Sequence, residues 1–520
     1  MRAPQPIHAR DARRPLVVDN HTPCKPMKTL ALKQQPTRSP RASKSFASAT
    51  SCQPRPFAML AATVSILAAA SAHAQEAPAA APGGDDASPA GLWQRAALFG
   101  DMGGLRPALD TLGITLALQE TSEYFRNASG GTQRIGAYDG LTQGTLSVDT
   151  GKLFGLAGGT FNVSALQIHG SNLSARALGA QQAVSGVEAN AGTRLWELWY
   201  GQQFAGGAAD LRIGQQSLDQ EFMLSQYASS FANATFGWPV LPSVDMPGGG
   251  PAYPLSSLGA RLKLKPTPAI TVLAGVFDGY PGGSAQNDAQ QGNAHGTRFN
   301  LHDGALWIGE LQYALNQAQG EAPDARPSGL PGTYRLGFWY LSGRFDDPRQ
   351  DSSGLPLDSP ASNGIARTHR GNYGAYAVAD QMVWRSTGNA ARSLGVFTRV
   401  MGAPDDRNSV SFSAQAGIAL KAPFDGRDND TAGLAIGYTN ATLNVDAAAG
   451  AALGIAGAKR INETVFEATY QYQVAPWWML QGDLQYIVRP SGGYYLPANG
   501  GSARRIGNEV VAGLRTVVNF

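Results

Sequence analysis

The chain has 520 residues and a mass of 54.5 kDa, with 63 glycines and only 15% charged residues, whereas soluble domains carry about 25%. Its formal net charge is +3 and its mean hydropathy −0.20. A helical membrane bundle is excluded, because each span needs about 20 apolar residues and the single long apolar run is 57–72.

That run reads as the apolar region of a secretory signal, with Ala72, His73 and Ala74 as a small-x-small cleavage site. The basic region before it, 1–56, is unusually long, so Met1 and Met27 both stand as starts. Removing 1–74 takes away 11 Lys/Arg and 2 acidic residues and leaves 30 basic against 36 acidic, a net charge of −6. The basic balance of the whole chain is therefore no sign of nucleic acid. Cys24 and Cys52 both lie in the leader, so the exported chain has no disulfide framework. Mass spectrometry of the exported form should find a cysteine-free chain beginning Gln75-Glu76; an intact N-terminus containing Cys52 would overturn the export reading.

An Ala/Pro/Gly/Asp linker is expected over 75–90, then one or two short amphipathic helices over 91–112, with Leu105, Leu109 and Leu112 at helical spacing and Gly113 as a stop. From Gly113 to the end the period is 2. Val410, Phe412, Ala414, Ala416, Ile418 and Leu420 alternate with Ser411, Ser413, Gln415, Gly417, Ala419 and Lys421. Leu258, Ala260, Leu262 and Leu264 alternate with Gly259, Arg261, Lys263 and Lys265, and 509–520 behaves alike. Such strands bury one face and wet the other.

Sixteen strands are predicted: 113–124, 140–152, 159–172, 194–204, 209–219, 257–266, 269–279, 304–316, 332–345, 371–386, 392–403, 408–422, 431–442, 462–474, 477–489 and 506–520. Long and short connections alternate between them, with exceptions at 317–331 and 404–407. Outer-membrane barrels produce that alternation, with short periplasmic turns and long external loops. In most strands the charged residues share parity with Gly, Ser or Gln, hence with the lumen, as expected where an Arg or Lys facing mid-bilayer costs about 2–4 kcal/mol. Trp196, Tyr200, Tyr334, Tyr340, Tyr470 and Tyr472 are expected on the lipid face as interfacial girdles. The fold class is thus all-β: a single transmembrane antiparallel β-barrel of about 16 strands over 113–520, preceded by a short helical segment.

Leu195-Trp-Glu-Leu-Trp-Tyr-Gly-Gln-Gln-Phe204 and Ala209-Asp-Leu-Arg-Ile-Gly-Gln-Gln-Ser-Leu-Asp-Gln-Glu-Phe222 resemble the carbohydrate-selective outer-membrane porins, the OprB-like family. The stretches 116–131 and 466–493 fit too, with Gly482 and Arg489 where the family favours Pro and Asn. The resemblance implies a pore passing sugars such as glucose. A general porin and, less favoured, an outer-membrane barrel hydrolase are the alternatives.

Sugar passage can also be argued from the residues. Arg forks donate to neighbouring hydroxyls, carboxylates accept from them, and aromatic rings stack on C–H faces. By parity the lumen candidates are Glu197, Trp199, Arg212, Arg261, Lys263, Glu310, Arg335, Trp339 and Asp483, with Gln312, Arg399, Lys421, Glu467 and Gln485 beside them. For any one of them the plainer reading is a solvated wall residue. The longest loop, 220–256, is too apolar to float in water: Phe222, Phe231, Phe236, Trp238 and Tyr253 all need cover. It is expected to fold into the barrel as a constriction, with an external cap or a subunit contact as the alternative.

The exported chain has no HExxH, G-x-S-x-G or P-loop, so neither catalysis, a cofactor nor a metal is expected. The expected partners are mono- or oligosaccharides, outer-membrane lipid, and the barrel-assembly machinery through C-terminal Phe520. Monomer and homotrimer both stay open.

Overall fold

The computed structural model describes residues 91–283, 288–317, 329–357, 359–440, 461–493, 495–497 and 503–520. The leader and linker expected over 1–90 lie outside them.

Sixteen strands follow one another around a closed antiparallel barrel. They are β1 (Ile114–Ser129), β2 (Gly136–Asp149), β3 (Gly159–Gly170), β4 (Gly192–Phe204), β5 (Ala209–Gln216), β6 (Ser257–Thr267), β7 (Ile270–Asp278), β8 (Ala305–Leu315), β9 (Gly332–Asp351), β10 (Ala366–Arg385), β11 (Ser393–Gly402), β12 (Phe412–Lys421), β13 (Thr431–Asn440), β14 (Asn462–Ala475), β15 (Trp478–Val488) and, after a small two-stranded sheet of β16 (Tyr495–Pro497) and β17 (Ala503–Arg505), β18 (Glu509–Asn519). β18 closes the barrel on β1, from Gln119↔Asn519 upward. Closure leaves no edge strand, which a sheet in hydrocarbon requires because nothing there can pair a free N–H or C=O.

The alternation decides which way each side chain points. On β6, Leu262 and Leu264 are exposed on the outside while Arg261 is buried inside. On β9, Tyr334, Leu336, Phe338 and Tyr340 point out while Trp339 and Leu341 point in. Trp196 departs from the expected girdle. A bulge between Ser164↔Glu197 and Ala165↔Leu195 turns it inward, where it is 1% exposed and meets the Tyr253 ring edge-on at 6.5 Å. β9 and β10 run longer than expected, because beyond Leu341 and Asn372 both faces become polar and the hydrophobic alternation that marks a strand is lost. β12 starts later than 408. Asp245 Oδ1 takes the N–H groups of Ser409 (3.0 Å) and Val410 (3.1 Å), diverting them from the ladder.

At the end carrying the chain terminus, α1 (Leu105–Thr111) and the turns before it lie against the C-terminal strand. Leu98 N–H donates to Asn519 O at 2.8 Å, Arg106 holds the Phe520 backbone oxygen, and Trp93 and Phe99 pack on Trp477 and Phe520 at 6.2 and 5.2 Å.

Candidate functional site

The β5–β6 register sets Arg212 directly opposite Arg261. Like charges so placed repel, and three acids answer them. Asp210, two residues from Arg212 on the same face, pairs with Arg261. Glu221, from the loop leaving β5, receives Arg261 Nη2 at 2.9 Å and stands 3.6 Å from Arg212 Nη1. Glu197, on β4, accepts from Ser217 N–H at 3.2 Å. The arginines differ in access. The Arg261 side chain is 1% exposed and that of Arg212 26%. The Arg212 guanidinium lies over the Trp199 ring, its Cζ 4.1 Å from the centroid, a cation–π contact. Lys263 is the register partner of Asp210. Five predicted residues, Glu197, Trp199, Arg212, Arg261 and Lys263, therefore share one patch of wall. Asp210 and Glu221 were not among the expected residues, although the parity of Asp210 with Arg212 was there to be read.

Glu310, Arg335, Trp339 and Asp483 lie elsewhere, under the loop. The segment 217–256 crosses the inside of the barrel, and its backbone is tied to the wall by side chains. Glu310 accepts Met223 N–H (2.8 Å) and the Tyr376 hydroxyl (2.7 Å). Asp380, paired with Arg335 at 2.9 Å, accepts Ser225 Oγ (2.6 Å) and Gln226 N–H (3.1 Å). Glu467 accepts Ala232 and Asn233 N–H, and Asp483 accepts from Gln485, whose Oε1 takes the Asn233 amide at 2.9 Å. Arg399 works in the opposite sense, donating to the carbonyls of Met223 (2.8 Å), Gly237 (3.0 Å) and Thr235. A loop buried in a barrel has no ladder of its own, so the wall must supply acids for its N–H groups and a guanidinium for its carbonyls.

The loop's aromatics complete the attachment. Phe231 and Phe236 pack on Phe397 of β11 at 5.8 and 6.1 Å. Phe222 is 2% exposed in a cluster with Leu341, Trp339 and Tyr376, and Trp238 packs beside it. Tyr253 O–H donates to Val187 O at 2.7 Å. Each fully covered ring contributes about 1.5–3 kcal/mol. Asp245, enclosed by this packing, is pushed well above the usual carboxylate range by burial.

A second inward segment, 171–191, was not anticipated. Leu173, Leu178, Val184 and Val187 are buried, and Glu463 of β14 takes the N–H groups of Gln181 and Gln182, each at 2.8 Å. Its apolar spacing was too sparse beside the five aromatics of 220–256. Glu188 in this segment is raised to about 8, chiefly by burial, against the lowering hydrogen bonds from Ser174. An acid raised in the folded state stabilises that state below its unfolded value, 4.5, and the stability falls as pH rises towards about 8. The protection factors of amides in 171–191, corrected for the intrinsic pH dependence of exchange, should therefore fall between those pH values, and Glu188→Gln should flatten that fall. Parent protection factors that do not change with pH would remove Glu188 from the account.

A family model described as carbohydrate-selective porin, OprB family, matches residues 133–520. Porin B of Pseudomonas aeruginosa is 26% identical over 453 residues, covering 83% of this chain and 92% of that protein. The high-pH structure of Pseudomonas putida OprB superposes with a TM-score of 0.70 at 24% identity, over 82% of this chain and 99% of that one; its low-pH structure gives 0.51 at 19% identity over the same shares.

Proposed function

The chain belongs to the OprB family of carbohydrate-selective porins, and on that premise we propose that sugars are selected where Arg212 faces the channel beside Glu221 and Asp210. The protein is a sugar-selective channel of the outer membrane, integral to it through its β-barrel. The observation that carries the site is the pairing of two opposed arginines with carboxylates, one of them half held and accessible.

A sugar offers vicinal hydroxyls that both donate and accept. The Arg212 fork donates to two neighbouring oxygens, while Glu221 and Asp210 accept from the hydroxyls beside them. Arg261, enclosed by both acids, orients those acids. Trp199 carries Arg212 on one face and is 8% exposed; its part is to hold the guanidinium in place, and stacking on sugar is left to other groups. Both partners remain in water, so contacts stay weak and the solute can leave. Passage needs no covalent step. The acids around the arginines also disfavour anionic solutes.

The segment 217–256 supplies Glu221 and narrows the lumen from the opposite wall. We read Glu310, Arg335, Trp339 and Asp483 as its anchors, with Phe222, Phe231, Trp238 and Tyr253 as its packing. Liposome swelling tests the whole reading. Neutral monosaccharides should enter faster than disaccharides of similar chemistry and faster than hexuronates. Equal rates for neutral and anionic monosaccharides would remove Arg212 and its acids from the selection.

A further inference from the structure

We propose that the outward face from β5 to β10 binds a phosphorylated glycolipid of the lipid A type, its phosphate on Arg344 and Arg370 of β9 and β10 and an acyl chain in the apolar groove that β5–β9 form below them. Phe345 packs inward against the cluster around Leu341 and Val410, so alternation turns its neighbour Arg344 to the outside. Arg344 and Arg370 are register partners on adjacent strands, and both are exposed. Directly opposed like charges are destabilising, yet neither guanidinium has a hydrogen-bond or ion-pair partner among the described residues. Their surroundings are already satisfied. Arg407 is held by Asp406 at 2.8 and 3.0 Å over the Tyr373 ring, and Asp346 takes the Thr368 hydroxyl at 3.3 Å.

The position fits a headgroup. Next below the pair, Tyr340 faces Tyr373, both outward and exposed, as interfacial aromatics are. This end of β9 and β10 meets the long connections, hence the outer leaflet, whose glycolipid carries phosphate monoesters. Two adjacent guanidinium forks suit a multiply charged phosphate better than a diester. Beneath Tyr340, a groove of about 350 Å³ is lined by Leu211, Leu262, Val276, Trp307 and Phe338, with Ala260 giving it depth. Trp307 is the register partner of Tyr340, and Phe338 lies two residues below it on β9. An acyl chain descending from a phosphate on the arginines meets that groove.

Native mass spectrometry of the mature protein, with lipid A added in detergent, tests the assignment. The parent should carry lipid A adducts, and Arg344→Gln with Arg370→Gln should lose them by about tenfold, a difference of about 1.4 kcal/mol. Dephosphorylated lipid A should bind the parent as poorly as intact lipid A binds the variant. Ala260→Trp, which fills the groove and leaves the arginines alone, should weaken binding independently. Equal adducts on parent and both variants, or undiminished binding after dephosphorylation, would overturn the proposal. Equal retention of phosphatidylglycerol would overturn the choice of glycolipid.

Discussion

Excising about 232–250 should raise single-channel conductance several-fold and abolish discrimination between mono- and disaccharides. The segment removed contains Phe236 and the carbonyls of Thr235 and Gly237 that Arg399 holds, so its loss empties the lumen in front of β11–β15. The barrel should survive, because Glu467, Asp483 and Arg399 would then face water and none would face lipid. Arg399→Met asks the same question by a smaller change. It strips the donor from three buried carbonyls, each costing about 1–3 kcal/mol unpaired, and should give a noisy channel that flickers towards the conductance of the excised form. An excised channel that conducts like the parent would place the loop outside the permeation path.

The second large effect is expected from Arg212→Gln with Arg261→Gln. Sugar block of ion current should weaken about tenfold, equivalent to about 1.4 kcal/mol, because Gln offers one amide in place of a charged fork. Selectivity should shift to cations, since Glu197, Asp210 and Glu221 lose their counter-charges. The single variants separate the two roles. Arg212→Gln should weaken sugar block with the loop in place, whereas Arg261→Gln should also release Glu221 and loosen the base of the loop. An intact double variant matching the parent in block and selectivity would refute the assignment. Current–voltage curves under a salt gradient, with and without glucose, measure both quantities.

The barrel was legible because a lipid-facing strand has one chemical requirement, repeated every second residue. Leu258 to Lys265 and Glu509 to Phe520 state it without ambiguity, and the long-short alternation of loops then selects a barrel over a sandwich. Parity alone also collected Glu197, Trp199, Arg212, Arg261 and Lys263 correctly on one side. What parity could not show was depth. Glu310, Trp339 and Asp483 share the inward face with Arg212, yet they lie under a loop, and only the fold of that loop separates an anchor from an open wall residue. Trp196 was misplaced because a bulge inserts one residue and reverses the face, and a bulge leaves no mark on hydrophobic alternation. The partner of Arg261 was hidden for a related reason: Glu221 is 40 residues away in sequence, and no local pattern links the two.

The two inward segments also set an order of events in assembly. The 171–191 segment is fastened by Glu463, and its Ser185 hydroxyl by Arg515, 282 and 330 residues further along the chain. Arg515 in turn pairs with Glu123 across the seam between first and last strands. The contacts of Arg515 do not exist until the final strand is in place, and contacts so distant in sequence form late. A barrel still open at the seam therefore holds the 217–256 loop by β8–β15 but lacks the Arg515 tie to Ser185 of the 171–191 segment. One residue, Arg515, both seals the wall against Glu123 and steadies the second inward segment, so closure and the last tie inside the lumen are a single event.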